Sequence, residues 1–234
     1  MEFFDVVQKR RSTRKFKNEP VPQEAIDLAL DAALIAPNSS NLQCWEFYQV
    51  QSEGKKKALV EYCFSQGAAS TAQHLVVAVS RFDHWKHHRD SVVEAIARDN
   101  NGQLPTQVLD YYRKIVPMLY VQDPFGILAV LKTLIFNAVG LFKVVPRTPF
   151  TRAQLFEAVT KSAALACQNF MLAMTAQGFA TCPMEGFDER RVKRLLGLGR
   201  AAHVVMVIGV GVADPTGIWG RQFRLEKSLV VKKV

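Results

Sequence analysis

Two arginine-rich segments near opposite ends of the chain have the chemistry to bind an anion. The first is Arg10-Arg11-Ser12-Thr13-Arg14, and the second is Gly220-Arg221-Gln222-Phe223-Arg224. Guanidinium groups donate paired hydrogen bonds that match two oxygens of a phosphate. Each segment therefore indicates an anion site, with a solvated basic turn or tail as the alternative.

A polar segment, Pro37 to Gln43, follows an apolar helical pattern and reads Pro-Asn-Ser-Ser-Asn-Leu-Gln. Its amide and hydroxyl side chains can both donate and accept hydrogen bonds, which suits the edge of a heteroaromatic ring. Asn and Ser are also the common residues of ordinary turns. By itself, this segment favours the turn.

A third segment, Pro183-Met184-Glu185-Gly186-Phe187-Asp188, joins an apolar run of strand length to a helical pattern. Backbone N–H groups at such a junction can bind an acceptor atom, and Gly186 permits a close approach. Glu185 is a candidate acid, but no second acid is paired with it. None of the four cysteines forms a C-x-x-C pair, so no metal site is expected.

Apolar periodicity outlines the elements that position these segments. The predicted strands are separated by helices, which indicates one sheet with helices, of the α+β or α/β class. Segments 11–21 and 214–234 are expected to be irregular. The pattern predicts helices over 2–10, 22–36, 53–72, 84–122 (with breaks near 102 and 105), 151–178 and 189–196, and strands over 45–50, 75–80, 179–184 and 203–212.

Residues 125–145 form a strongly apolar segment between Pro124 and Pro146. A membrane span needs about 20 predominantly apolar residues, and this segment contains Lys132 and Lys143 on one helical side. We therefore predict an amphipathic lid or docking helix. A buried core helix, contact with a membrane surface and a true span are the alternatives.

Composition limits the class of protein. The chain has 234 residues and a formal net charge of +9, but its basic residues are scattered and no run reaches five. A nucleic-acid partner is therefore not expected, and a solvated surface with an anion site is favoured. The first residues lack the apolar core of a signal peptide, so we expect a cytoplasmic protein with free thiols.

Taken together, the segments resemble the nitroreductase family of flavoproteins, from about residue 3 to residue 229. The family pattern R-R-S-x-R-x-F corresponds to Arg10–Phe16, A-P-S-S-x-N-x-Q-P-W to Ala36–Trp45, and P-x-E-G-F-D to Pro183–Asp188, with a basic tail before Leu225. The resemblance implies one FMN-binding domain over residues 1–234. It also implies an α+β fold with a mostly antiparallel central sheet, in an intertwined homodimer.

The resemblance also implies roles for individual residues and assigns no catalytic side chain and no metal. The phosphate of FMN would be bound by Arg10, Ser12, Arg221 and Arg224. Arg14 would lie near N1 and O2 of the flavin ring, and Arg11 would contact FMN through its backbone. The backbones of Glu185 and Gly186 would donate to N5 and O4. The partner subunit would contribute Pro37, Asn38, Ser39 and Ser40, with Asn41 and Gln43 in the same loop.

The implied activity is a two-step transfer of two electrons from NADH or NADPH, through flavin N5, to a nitroaromatic, quinone or similar small acceptor. A flavin-dependent dehydrogenase of a peptide or natural product, a flavin-binding module without turnover, and a membrane-bound protein stay open. The sequence departs from the family at Asn38, at Cys44 and in the tail around Gln222. It also departs at Ser65 and Ala68, where many relatives have Asn and Lys.

Overall fold

The computed structural model describes residues 1–234 and has a five-stranded antiparallel sheet at its centre. Its strands are β1 (Phe16–Lys17), β2 (Trp45–Gln49), β3 (His74–Arg81), β4 (Ala180–Met184) and β5 (Ala202–Ala213). The order is β1-β5-β3-β2, and β4 also pairs with β5. The predicted α+β class with an antiparallel sheet is confirmed.

Eleven helices surround the sheet, and the longest, α9 (Arg152–Ala176), begins with a complete capping box. Thr151 Oγ1 accepts from the Gln154 N–H at 3.2 Å, and Gln154 Oε1 accepts from the Thr151 N–H at 3.1 Å. A π-helical turn, Tyr111–Ile115, joins α6 (Thr106–Asp110) to α7 (Val116–Tyr120). The helices are α1 (Phe3–Lys9), α2 (Gln23–Leu34), α3 (Glu53–Tyr62), α4 (Gly67–Ser70), α5 (Trp85–Asp99), α6 (Thr106–Asp110), α7 (Val116–Tyr120), α8 (Ile127–Val139), α9 (Arg152–Ala176), α10 (Glu189–Leu195) and α11 (Lys227–Val230).

The sheet is buried on both faces. Alternate residues of a strand point to opposite faces, so Val76 and Ala78 of β3 pack in the core formed with α2 and α9. Val77 and Val79 pack in the second core with Leu59 of α3. This two-sided burial explains why β3 and β5 read as continuous apolar runs.

Three backbone features differ from the prediction, and one is the short helix α11 (Lys227–Val230) in the tail that was expected to be irregular. The helix expected over 53–72 stops at Tyr62, because Phe64 and Ser65 have φ values of +57° and +50°. Left-handed residues cannot continue a right-handed helix. Within the segment expected to be irregular, Phe16 begins strand β1, and its ring lies where a side chain on Gly211 would be.

The structure of the apolar segment 125–145 excludes one of the alternatives predicted for it, the buried core helix. Helix α8 ends at Val139, and only Ala129 of this helix is buried, so a buried core helix is wrong. The polar side faces the protein instead, since Lys132 Nζ donates to the carbonyl of Val121 at 2.7 Å. No helix is both long enough and apolar enough to cross a membrane.

Candidate functional site

The structure brings the two arginine segments together at the end of α1. Arg11 Nη2 donates to the carbonyl oxygen of Gly220 at 3.0 Å. With its amide oriented so that both ends find partners, Gln222 donates to the Gln8 carbonyl and accepts from Arg224 Nη2, each at 3.2 Å. Gln222, a departure from the family pattern, thus holds the tail against α1.

This region carries uncompensated positive charge. Arg10 is half-buried, and burial lowers its pKa, followed by repulsion from Arg224 and from Arg11. No arginine of either segment forms an ion pair with a carboxylate. A group of guanidiniums without acids is suited to a bound anion.

Strand β4 connects this cluster to the next part of the site. Ser12 forms an isolated parallel bridge with Thr181. Burial raises the pKa of the neighbouring Cys182 thiol, while the charges of Arg14 and Arg10 lower it in part. Both guanidiniums therefore lie close to β4. The buried hydroxyl of Thr181 has no hydrogen-bond partner in the protein.

Arg14 is exposed and stacks on an aromatic ring. Its guanidinium carbon lies 4.4 Å from the ring centroid of Trp219, within the range of a cation–π contact. Its backbone N–H donates to the carbonyl of Gly217 at 2.8 Å. Sequence analysis missed Trp219, although it directly precedes the second arginine segment.

Glu185 and Gly186 lie exposed at the end of β4, and their backbone N–H groups donate to no protein atom. Gln66 Nε2 donates to the Gly186 carbonyl at 2.9 Å and so positions this turn. The next residue, Gly67, lies so close to Arg14 that a Cβ would be 2.7 Å from the Arg14 carbonyl oxygen. Gln66, which sequence analysis also missed, lies between the two departures at Ser65 and Ala68.

The polar loop is a constrained structure rather than an ordinary turn. Asn38 Oδ1 accepts from the backbone N–H of Gln43 at 2.8 Å. Ser40, Asn41 and Gln43 have φ values of +57°, +49° and +47°. Three non-glycine residues in the left-handed region within four positions store strain, which is common at ligand sites.

Tyrosines outside the predicted set support this loop. Tyr111 hydrogen bonds through its hydroxyl to Ser40 Oγ at 2.7 Å, and the Tyr112 hydroxyl donates to the Ser40 carbonyl at 3.0 Å. On the opposite side, the Ser39 N–H donates to Ser162 Oγ at 3.3 Å. The loop is thus fixed between the π-helical turn and α9, while Pro37 is exposed.

The polar loop and the arginines of the chain lie at different places along α9. The loop contacts Ser162, whereas Arg10 and Arg11 line a cavity of 230 Å³ together with Thr175 and Gly178. Ser162 and Thr175 are separated by 13 positions, or about 20 Å along a helix. The structure therefore brings Arg10, Arg11, Arg14 and Arg224 close to one another and to the segment Glu185–Gly186, but not to the loop.

A cavity of 690 Å³ lies between α2, β2 and α5. Asn41 and Gln43 line it together with apolar side chains such as Leu30 and Ile96, and no arginine reaches it. Since the positive charge lies elsewhere, this cavity is not the anion site.

Comparison with known proteins relates the chain to one family. The model described as Nitroreductase family matches residues 7–212. A protein named NADH dehydrogenase from Thermus thermophilus is 25% identical over 219 residues, covering 94% of this chain and 90% of that protein. The structure of ydfN from Bacillus subtilis shares the fold with a TM-score of 0.77 and 22% identity, over 99% of this chain and 98% of that chain. An Exiguobacterium sibiricum protein solved in complex with FMN has a TM-score of 0.71 and 22% identity, over 100% of this chain and 98% of that chain.

Proposed function

Because the chain belongs to the nitroreductase family, we propose that it is an FMN-dependent oxidoreductase. It transfers two electrons from NADH or NADPH to a nitroaromatic, a quinone or a similar small acceptor. The observation that carries this proposal is the cluster of Arg10, Arg11 and Arg224 without a carboxylate partner. The relative solved with FMN and the relative named NADH dehydrogenase support the choice of cofactor and donor.

The arginine cluster binds the phosphate of FMN. Arg10 and Arg224 donate charge-assisted hydrogen bonds, Ser12 adds its hydroxyl, and Arg221 reaches the phosphate from the tail. The guanidinium of Arg11 is occupied by Gly220, but its backbone N–H donates to no protein atom and is available to the cofactor. The residues present therefore fit a phosphate monoester.

Glu185, Gly186 and Arg14 bind the ring end of the cofactor. FMN, when bound, supplies two-electron chemistry at its ring atom N5. The N–H groups of Glu185 and Gly186 donate to no protein atom and would be available to N5 and O4, so Glu185 would act through its main chain. Arg14, held on Trp219, would place positive charge beside N1 and O2 and would stabilise negative charge there.

A second copy of the chain completes the site, giving an intertwined homodimer of single-domain subunits. The loop from Pro37 to Gln43 lies about 20 Å along α9 from the arginines, too far to contact the same phosphate. Asn38, Tyr111 and Tyr112 hold this loop in a strained conformation. A loop fixed in this way is ready to contact the cofactor bound by the partner.

Anaerobic titration with NADH and NADPH tests the activity. We expect the purified protein to be yellow, to lose its visible absorbance with one of these donors, and to regain it when a nitroaromatic or a quinone is added. Stable absorbance with both donors would indicate a flavin-binding module or a dehydrogenase of a peptide or natural product. A colourless protein that takes up no FMN would end the proposal.

A further inference from the structure

The outward side of α8 is apolar along its whole length. Ile127, Val130, Leu131, Leu134, Ile135 and Val139 have exposed fractions between 41% and 65%. The surface continues into Phe125, Leu141, Phe142 and Val144, at 77% to 106%. We call these ten residues the α8 patch. A continuous apolar surface of this extent marks an interaction site on a folded protein.

Polar contacts hold α8 in this orientation. Lys132 Nζ donates to the Val121 carbonyl, and Arg147 Nη2 donates to the Gly140 carbonyl at 2.8 Å. The carboxylate of Asp123 accepts the backbone N–H groups of Ile127 and Leu128. Because both ends and the inner side are bonded, the apolar side chains are directed outward.

The charge around the α8 patch is mostly positive, and Asp123, the acid at its N-terminal end, is bonded to backbone N–H groups of α8. Residues 124–156 contain no Asp or Glu and four basic residues, Lys132, Lys143, Arg147 and Arg152. Lys143 and Arg147 are exposed beside the patch, and the whole chain carries a formal charge of +9. A two-fold contact between copies through this surface would bring together surfaces of the same charge. Anionic lipid headgroups would instead complement it.

We propose that the α8 patch docks the protein on the surface of a bilayer that contains anionic lipids. The helix has 13 residues, or about 20 Å, and lies in the plane of the interface. Its apolar side chains enter the boundary between headgroups and acyl chains, and Lys143 and Arg147 contact the headgroups. This association is independent of the proposed electron transfer.

Co-sedimentation of the full-length protein with vesicles tests the proposal. We expect binding to vesicles of equal parts phosphatidylcholine and phosphatidylglycerol. Binding to phosphatidylcholine alone should be weaker, by about fivefold for each basic residue engaged. High salt should also weaken binding to the anionic vesicles, because it screens the attraction between the basic residues and the headgroups.

Two substitutions distinguish vesicle binding through the α8 patch from nonspecific adsorption of the protein to vesicles. Leu134→Ser and Phe142→Ser should each lower the vesicle partition coefficient by about tenfold, because each removes a large inserted side chain. Leu28→Ser is the matched control, since Leu28 on α2 is 60% exposed and Leu134 is 63% exposed. The control should bind vesicles like the unsubstituted chain. Thermal unfolding establishes that each variant is folded. The comparison of neutral and anionic vesicles uses the unsubstituted protein, so it tests the proposal even if a variant does not fold.

Three outcomes would overturn membrane docking. The first is equal binding of the unsubstituted protein to neutral and anionic vesicles, or no binding to either. The second is a smaller assembly in Leu134→Ser, which would assign the patch to a second copy. The third is unchanged partition with altered turnover of a lipophilic quinone relative to a polar nitro compound, which would make α8 a lid over the cofactor.

Discussion

Arg11 Nη2 donates a hydrogen bond to the Gly220 carbonyl at 3.0 Å, joining residues 209 positions apart. The bond holds the C-terminal segment at the end of α1, where the positive charge of Arg224 lowers the pKa of Arg10. Like charges repel, so the tail is held there by contacts to uncharged groups, the Gly220 carbonyl and the Gln222 amide. The tail therefore lies beside Arg10 because of bonds that involve no anion.

Removing this tie should weaken the site indirectly. A net hydrogen bond contributes about 0.5–1.5 kcal/mol, so Arg11→Ala should weaken FMN binding by about two- to tenfold. Trypsin should also cleave the tail of the Arg11→Ala variant faster than that of the unsubstituted protein. Arg190→Ala is the control, because Arg190 is exposed and forms no ion pair or side-chain hydrogen bond. If tail cleavage and FMN affinity are both unchanged in Arg11→Ala, the tie does not organise the site.

Removing a phosphate contact should have a larger effect. Arg10→Ala and Arg224→Ala should each weaken FMN binding by about 10- to 100-fold, since a hydrogen bond to a charged group is worth roughly 1.5–3 kcal/mol. Fluorescence titration measures both affinities. Binding of riboflavin, which lacks the phosphate, should change little. Unchanged FMN affinity in both variants would place the phosphate elsewhere.

Subunit complementation tests whether the loop acts on the partner. A chain with Arg10→Ala and Arg224→Ala and a chain with Asn38→Ala should each have low activity alone. Random pairing makes half of the dimers mixed, each with one intact site, so co-expression should restore about a quarter of the normal activity. No recovery, with mixed dimers demonstrated by affinity tags, would mean that the loop serves its own subunit.

The buried thiols should make stability depend on alkaline pH. Burial raises the pKa of Cys44 to about 12, of Cys63 to about 11 and of Cys167 to about 12. Above pH 9 the unfolded chain loses these protons and the folded chain keeps them. The free energy of unfolding should therefore fall as pH rises from 9 towards 12, by at most about 1.4 kcal/mol per pH unit for each thiol.

Chemical denaturation at a series of pH values measures this dependence, and Cys167→Ala should reduce its slope. A thiol reagent at neutral pH should label these cysteines slowly in the folded protein and rapidly after denaturation. Fast labelling of all three without denaturant would contradict the burial.

The capping box of α9 should contribute measurably to stability. Thr151→Ala should lower the free energy of unfolding by about 1 kcal/mol, because the Gln154 N–H loses its acceptor. Ser52→Ala is a matched control at the start of α3, where the Ser52 side chain makes no capping hydrogen bond. Equal losses in the two variants would show that the box itself adds nothing.

The sequence by itself determined features that depend on near neighbours. Asp188 caps α10 through the Arg191 N–H, and Gly178 follows α9 with a φ of +88°, as their residue types predict. The apolar runs at β3 and β5 predicted strands, because their side chains are buried on both faces. The motifs also named the arginine segments and Glu185–Gly186, which the structure brings close together.

Only the tertiary structure decided features that depend on residues far apart in the chain. Strand β1 exists because Phe16 packs on Gly211, and Gln66 joins the site through Gly186. Helical periodicity divided α8 into a polar and an apolar side, but it could not tell which side the protein covers. Lys132 decided this by bonding to Val121, because spacing along a helix specifies where side chains point relative to one another and not what they face.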